Sequence, residues 1–310
     1  MKKWIISLTV LLLLLFIGLP YFLISKTLLI SNVVKVNRNS TSAARSLLKE
    51  SDWQKWWPSG EMTEDGRSLD YKGYNYKITE HFYNAVGVDI LKGKERRQTR
   101  INILPVNADS VFVIWEYQIH TSLNPFSRIK EYREAVASRQ VMQDIMLHMK
   151  DFLDKTENVY GTDIHVSISK DSTLITTKFK TRDYPTTEEI YHSIAALKTY
   201  IHNNKAEENN FPMLRVEKHN DYETMVAIPV NKQLASKGEF VFKRFVPWKI
   251  LVANVQGGDS AISQAFKEFE IYIRDYSLHE MANSFQSLVT DRSLEKDSSK
   301  WITQLVTPIP

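Results

Sequence analysis

The chain of 310 residues contains no cysteine. Disulfides, thiolate catalysis, cysteine-held metals and lipid attachment through a thiol are thereby excluded. Other chemical signatures are missing too. No His-Glu-x-x-His occurs, and no two of the eight histidines show ligand spacing on one helical face. There is no Gly-x-Ser-x-Gly elbow and no phosphate-binding glycine loop. No cofactor is expected on these grounds. Strong charge of either sign is also lacking: the net charge of +4 gives no reason to expect a nucleic-acid partner. The composition, 43% apolar and 25% charged, is that of an ordinary globular protein. Such a length allows roughly two domains of about 100–200 residues each.

The N-terminus stands apart. Behind Met1-Lys2-Lys3, residues Trp4 to Ile24 carry no charge. About 20 residues at helical rise span about 30 Å, the hydrocarbon thickness of a bilayer. A cleaved signal peptide would have an apolar core of about 7–15 residues ending at small side chains. The first alanine here is Ala43. Residues 1–26 are therefore expected to form an uncleaved transmembrane anchor. Long folded domains translocate largely regardless of charge, so the short flank with Lys2 and Lys3 sets the orientation. The expectation is a single-pass membrane protein with a cytoplasmic N-terminus and an extracytoplasmic body.

The second half of the chain is written twice. Residues 175–230 read strand, turn, helix, strand, strand, and residues 241–309 repeat the series. The two helices share an apolar spacing of +4, +3, +4, through Ile190, Ile194, Leu197, Ile201 and through Ile262, Phe266, Phe269, Ile273. Such spacing lines one helical face. Each copy closes on an apolar strand with a proline, Ala227-Ile228-Pro229-Val230 and Val306-Thr307-Pro308-Ile309. Duplication predicts pseudo-two-fold symmetry with a groove on the axis, a natural ligand site.

The first half is of another kind. Thr27 to Val36 alternates and reads as a strand, and Asn39-Ser40 caps a short helix. Strands are predicted at Tyr74–Thr79, Val86–Leu91, Arg100–Leu104 and Val111–His120. A long amphipathic helix follows, with Ile129, Tyr132, Val136, Met142, Ile145, Met149 and Phe152 on its apolar face. Residues 158–163 read as a linker broken at Gly161. The expected organisation is an anchor at 1–26, a domain at 27–157 and a domain at 158–310.

Trp53-x-x-Trp56-Trp57-Pro58, Val113-x-Trp115 and Asn124-Pro125-Phe126, with the opening strand and helix, resemble the SRPBCC superfamily of START-like, polyketide cyclase-like domains. That resemblance implies a helix-grip fold, a curved antiparallel sheet around one long helix. The duplicated unit, the Gly257-Gly258 turn into a helix and Trp301-Ile302-Thr303-Gln304-Leu305 resemble the GyrI-like effector-binding domain of AraC-type regulators. That resemblance implies two strand–helix–strand–strand units about a ligand groove. The expected fold class is thus α+β: a transmembrane helix, a helix-grip domain and a duplicated βαββ domain.

In the GyrI-like family the stretch matching residues 284–291 usually carries a glutamate, a tyrosine two residues on, then Thr-Asp. The glutamate attracts cationic aromatic effectors. Here Gln286 and Leu288 stand at the first two positions, before Thr290-Asp291. A glutamine can hydrogen-bond a ligand but supplies no charge. The resemblance therefore carries over ligand binding, but neither cationic-drug binding nor the hydrolase activity of some relatives. Gln286 is set against the simpler reading of a plain strand residue.

Aromatics at Tyr184, Tyr191, Trp248, Phe266 and Tyr272 lie on or near the predicted groove elements. Aromatic walls suit planar or apolar ligands, although aromatics at helical spacing are more often core. Trp115 lies mid-strand, facing either into or away from the first cavity. The tryptophan cluster at 53–57 either rims that cavity or packs as a lid. The basic run Lys92 to Arg100 reads as a solvated hairpin, since it lacks interleaved aromatics.

The candidate ligand contacts are Gln286, Tyr184, Trp248, Phe266 and Trp115. The function expected is membrane-anchored, non-catalytic sensing or sequestration of a small apolar or aromatic molecule by tandem cups. One alternative is a cyclase- or hydrolase-like enzyme, which would need His81, Glu116 and His120 to converge in the first cavity. Another is a scaffold for a protein segment, which a shallow groove with an unpaired strand edge would favour. No protein partner is named by the sequence.

Overall fold

The computed structural model describes all residues except 1–3, 5–7, 9–16, 61, 64–67, 170–171 and 245–248. It is α+β, with two antiparallel sheets. The chain divides into two compact units, Met1–Lys155 and Thr156–Pro310.

The expected transmembrane helix over 1–26 is corrected. Among the described residues, no helix is long and apolar enough to cross a membrane. Residues 17–23 are described as helix. Most of residues 1–16 lie outside the described residues. The single-pass topology and the extracytoplasmic location inferred from the anchor lose their support with it. Residues 17–24 lead directly into the first unit: Arg128 donates to the Ile24 carbonyl from Nε at 3.0 Å and Nη2 at 2.6 Å, and its guanidinium lies over the Tyr21 ring.

The first unit runs β1 (Thr27–Val36), α1 (Ser40–Leu48), α2 (Trp53–Trp56), β2 (Ser68–Tyr71), β3 (Tyr74–His81), β4 (Ala85–Lys92), β5 (Glu95–Asn107), β6 (Ser110–His120) and α3 (Pro125–Leu153). The strand order is β1-β6-β5-β4-β3-β2, a meander closed by the first strand. Asn39 caps α1 by accepting from the Ser42 amide at 2.8 Å. Asn124 caps α3, with Pro125 at its first position. Two side chains stitch β1 and the residues after it to α3. Asn32 Nδ2 donates to the Arg139 carbonyl at 3.0 Å, and Arg38 Nε to the Leu153 carbonyl at 2.8 Å.

The face that α3 buries differs from the predicted one in its first half and at its end, where Leu153 is buried in place of Phe152. Met142, Ile145 and Met149 are buried as expected, but Arg128, Ala135 and Ser138 replace Ile129, Tyr132 and Val136. Arg128 is held inside by its two bonds to the Ile24 carbonyl.

The space beneath the sheet is filled by aromatic rings. Trp53 and Trp115 have no exposed surface, and Tyr76 lies between Trp57 and Trp115 at ring distances of 5.1 and 5.7 Å. Trp53 Nε1 donates to the Leu47 carbonyl and Trp115 Nε1 to Thr99 Oγ1, each at 2.8 Å.

The second unit runs α4 (Thr156–Tyr160), β7 (His165–Ile168), β8 (Thr173–Thr181), α5 (Thr187–Asn203), β9 (Met213–Lys218), β10 (Tyr222–Pro229), β11 (Val241–Arg244), β12 (Lys249–Gln256), α6 (Asp259–Asp275), β13 (Phe285–Leu288) and β14 (Ile302–Ile309). The strand order, β11-β8-β10-β9-β13-β14-β12-β7, reads symmetrically about the β9–β13 join. The halves also exchange a strand. β7 precedes the first repeat but pairs with β12 of the second; β11 precedes the second but pairs with β8 of the first.

Helix α5 buries Ile190, Ile194, Leu197 and Ile201, and Thr186 with Glu189 forms a capping box at its start. Helix α6 is turned slightly: Ile262, Ala265, Phe269 and Tyr272 are buried, while Phe266 and Ile273 are half-buried. The entry to α6 requires glycine. Gly257 has φ of +129°, and a Cβ there would stand 2.9 Å from the Ala261 Cβ. Leu197 is fully buried in the core of the first half. Leu197→Ala is expected to destabilise the fold by about 2–5 kcal/mol. Hydrogen exchange should show the loss as reduced amide protection in β8 and β10.

Candidate functional site

A cavity of about 490 Å³ opens over the join between the two halves of the second unit. Its floor comes from β9 and β13, where Leu214 pairs directly with Gln286 and therefore shares its face. Val216 extends the floor, and Ile262 and Phe266 on α6 form an apolar wall. Tyr184, in the loop before α5, stands at the rim with Arg215, Asp259 and Phe285. The volume falls within the range of about 300–1,000 Å³ typical of small-molecule sites.

Three of the five predicted contacts, Gln286, Tyr184 and Phe266, thus line one cavity. The turn of α6 that leaves Phe266 half-buried is what presents its ring there. Trp248 lies outside the described residues. Trp115 sits in the packed interior of the first unit, sealed from solvent. Tyr272 belongs to the core, with its ring 5.1 Å from Tyr160 and 4.4 Å from Tyr276.

The polar part of the groove is built around a residue that hydrophobic patterning passes over. Arg292, 6% exposed, donates from Nη2 to Gln286 Oε1 at 3.2 Å and to Thr303 Oγ1 at 2.7 Å. Its guanidinium lies over the Trp301 ring, 4.8 Å from the centroid. Burial lowers its pKa, opposed by Tyr191, Asp259 and Tyr184. An arginine nevertheless stays protonated at neutral pH. Tyr191 holds the turn that carries it. The tyrosine hydroxyl accepts from the Arg292 amide at 2.7 Å and donates to the Thr290 carbonyl at 3.2 Å. A helix of the first repeat therefore positions the charge of the second.

Tyr184 packs edge-on against Tyr222 at 5.7 Å. Partial burial, then Asp259, raise its hydroxyl pKa, and the Gln286 side chain lowers it. Arg215 is paired with Glu217 at 2.7 Å, and Asn283 also donates to Glu217. The Arg215 bond, with help from Asn283, holds the Glu217 carboxyl below its ordinary range.

The residues considered for catalysis in the first unit do not converge. Glu116 lies on the sheet face opposite Trp115, where it lines a polar groove of about 300 Å³ with Thr79, Glu80, Gly87, Asp89 and Arg100. Asp89 there is paired with Arg96 at 2.6 Å. His120 pairs across to Thr27 at the sheet's edge. His81, opposite Val86 on the other face, meets Glu50 at 3.2 Å.

No protein-family model matches the chain, and no curated relative matches it. Solved structures do. EcmrR, in a structure of an EcmrR–DNA complex, is 13% identical with a TM-score of 0.44, covering 61% of this chain and 72% of that one. SAV2435 bound to tetraphenylphosphonium is 16% identical with a TM-score of 0.32, covering 47% and 93%. A START superfamily protein from Mycobacterium smegmatis is 18% identical with a TM-score of 0.25, covering 37% and 97%. At these scores the functional reading rests on the geometry of the chain itself.

Two outcomes follow from the wiring of the groove. A carboxyl whose pKa is lowered by folding stabilises the fold above its ordinary value, and loses that contribution as pH falls through the folded value. Arg215→Ala should raise the Glu217 pKa toward the ordinary glutamate value, about 4.3. A carbon-detected titration of the Glu217 carboxyl that does not move would refute the pairing. Tyr191→Phe removes both hydroxyl bonds to the Thr290–Arg292 turn. It should destabilise the fold by about 1–3 kcal/mol in urea unfolding.

Proposed function

We propose that the second unit binds a small, largely apolar or aromatic molecule in the groove between its two halves, without chemical conversion. The observation that carries this reading is the convergence of Tyr184, Phe266 and Gln286 on one cavity of about 490 Å³. Leu214, Val216, Ile262 and Phe266 supply apolar walls, and Gln286 and Tyr184 supply polar points that orient a ligand. Sensing or sequestration is the role that suits such a cup.

The first unit takes a supporting part in this reading. Trp53, Tyr76 and Trp115 occupy the interior that would otherwise be a second cup. The enzyme alternative needed His81, Glu116 and His120 together, and they lie on different faces and at different ends of the sheet.

Native mass spectrometry of the full chain, purified gently from its own host, tests the proposal. A retained small molecule is expected, and Gln286→Ala should remove most of it. Retention unaffected by Gln286→Ala would place the ligand elsewhere. No adduct, even after incubation with neutral aromatics and lipids, would overturn the reading.

A further inference from the structure

We infer that the groove selects an aromatic acid, an apolar or planar body carrying a carboxylate or sulfonate, over an aromatic cation. This rests on the ligand reading above and adds the polarity of the ligand to it.

The first ground is the uncompensated charge of Arg292. Both oxygens to which its Nη2 donates, on Gln286 and Thr303, are neutral. Among the described residues, its buried Nε has no acceptor. A buried charge is far less screened than one in water, so its field reaches a ligand lying against Gln286. Of the other charges of the groove, Asp259 offsets it only in part. Arg215 is already paired with Glu217. Asp259 is exposed and occupies the first turn of α6. There it is screened by solvent and balanced by the positive end of the helix dipole.

The second ground is the orientation of the Gln286 amide. A guanidinium has donors only, so the atom facing Arg292 must be the amide oxygen. That leaves the Gln286 Nε2 group, two donors, for the Tyr184 side and the groove. Tyr184 lines the same cavity, and the Gln286 side chain lowers the tyrosine's otherwise raised pKa. The Tyr184 hydroxyl, lining the same cavity, offers a further donor to a ligand. The polar end of the groove thus presents donors, polarised by a positive charge behind them. A carboxylate or sulfonate satisfies those donors. An ammonium or phosphonium would meet like charge and matching donors, an arrangement that disfavours binding.

Three ligands of one shape isolate the charge: 2-naphthoate, 2-naphthamide and 2-naphthylmethylammonium, titrated calorimetrically into the full chain. Naphthoate is expected to bind at least about tenfold more tightly than the ammonium, as one desolvated charge contact of about 1.4 kcal/mol allows. Gln286→Glu places a carboxylate against Arg292 and should close that gap. Tyr184→Phe, at the rim, should weaken naphthoate by about three- to tenfold through loss of one hydrogen bond. It should leave the ammonium unchanged. Ammonium binding equal to or tighter than naphthoate would overturn the inference while leaving a ligand groove in place. A naphthoate preference that survives Gln286→Glu in a protein of unchanged near-ultraviolet dichroism would also overturn it. Silence from all three ligands overturns it too, and the native mass spectrum then decides separately whether the groove holds a ligand.

Discussion

The second unit depends on the antiparallel join of β9 to β13. The contact is short, Leu214 opposite Gln286 and Met213 opposite Ser287. Each repeat alone would be a three-stranded sheet with one helix, leaving β9 or β13 as an unpaired edge. Joining the two edges satisfies both. It also places the α5 and α6 cores on one face, because Leu214, Gln286 and Leu305 lie opposite one another in sequence across β9, β13 and β14. The reciprocal exchange of β7 and β11 then covers the outer edges, each half completed by a strand from the other. Pulling the halves apart would break all of these pairings together. The groove follows from the same symmetry. Each helix covers the core of its own half, and the strip of sheet over the axis is left to the loops and rims.

How much of this was legible depends on whether bulk and polarity agreed. In α5 they did: the four apolar residues at helical spacing are the four that are buried. In α6 they did not. Ala265 contributes little to a hydrophobic pattern and Tyr272 carries a hydroxyl, yet both turn inward and Phe266 moves to the cavity. In α3 the disagreement is larger, because a pattern reading puts Arg128 in water while the Ile24 carbonyl draws it inside. The exchanged strands were missed for another reason. β7 and β11 are only four residues each, and their partners lie more than 60 residues away, where no local signal reaches.

The candidate site shows the same division. Gln286 stood out because the resemblance made the missing acid visible, and Tyr184 and Phe266 because aromatics near a duplicated groove attract notice. Arg292 carried no such mark. A buried arginine is rare unless paired, so the default reading of one is a solvated side chain. Its position directly after Thr290-Asp291, six residues beyond the altered acid, was the available signal. The first unit shows the opposite outcome. Trp115 was a candidate because strand alternation left its direction open. The structure turns it inward, onto Tyr76 and Thr99, and its indole nitrogen is spent on a core hydrogen bond.

The residues at 286 and 292 are best understood as a pair. A carboxylate at 286 would meet Arg292 as a buried ion pair, strongly held and electrically balanced. It would then have little charge left for a ligand of either sign. A glutamine keeps the hydrogen bond to Arg292 and gives up the balance. The charge of the arginine is retained because its remaining contacts, the Thr303 hydroxyl and the Trp301 ring, favour a cation without neutralising it. Tyr191 fixes the backbone at that position, and a guanidinium that swung out to solvent would lose its bonds to Gln286 and Thr303. A buried charge held in place without a counter-ion is costly to the folded state unless something else repays it. In this chain the group best placed to do so is an anion in the groove next to Gln286.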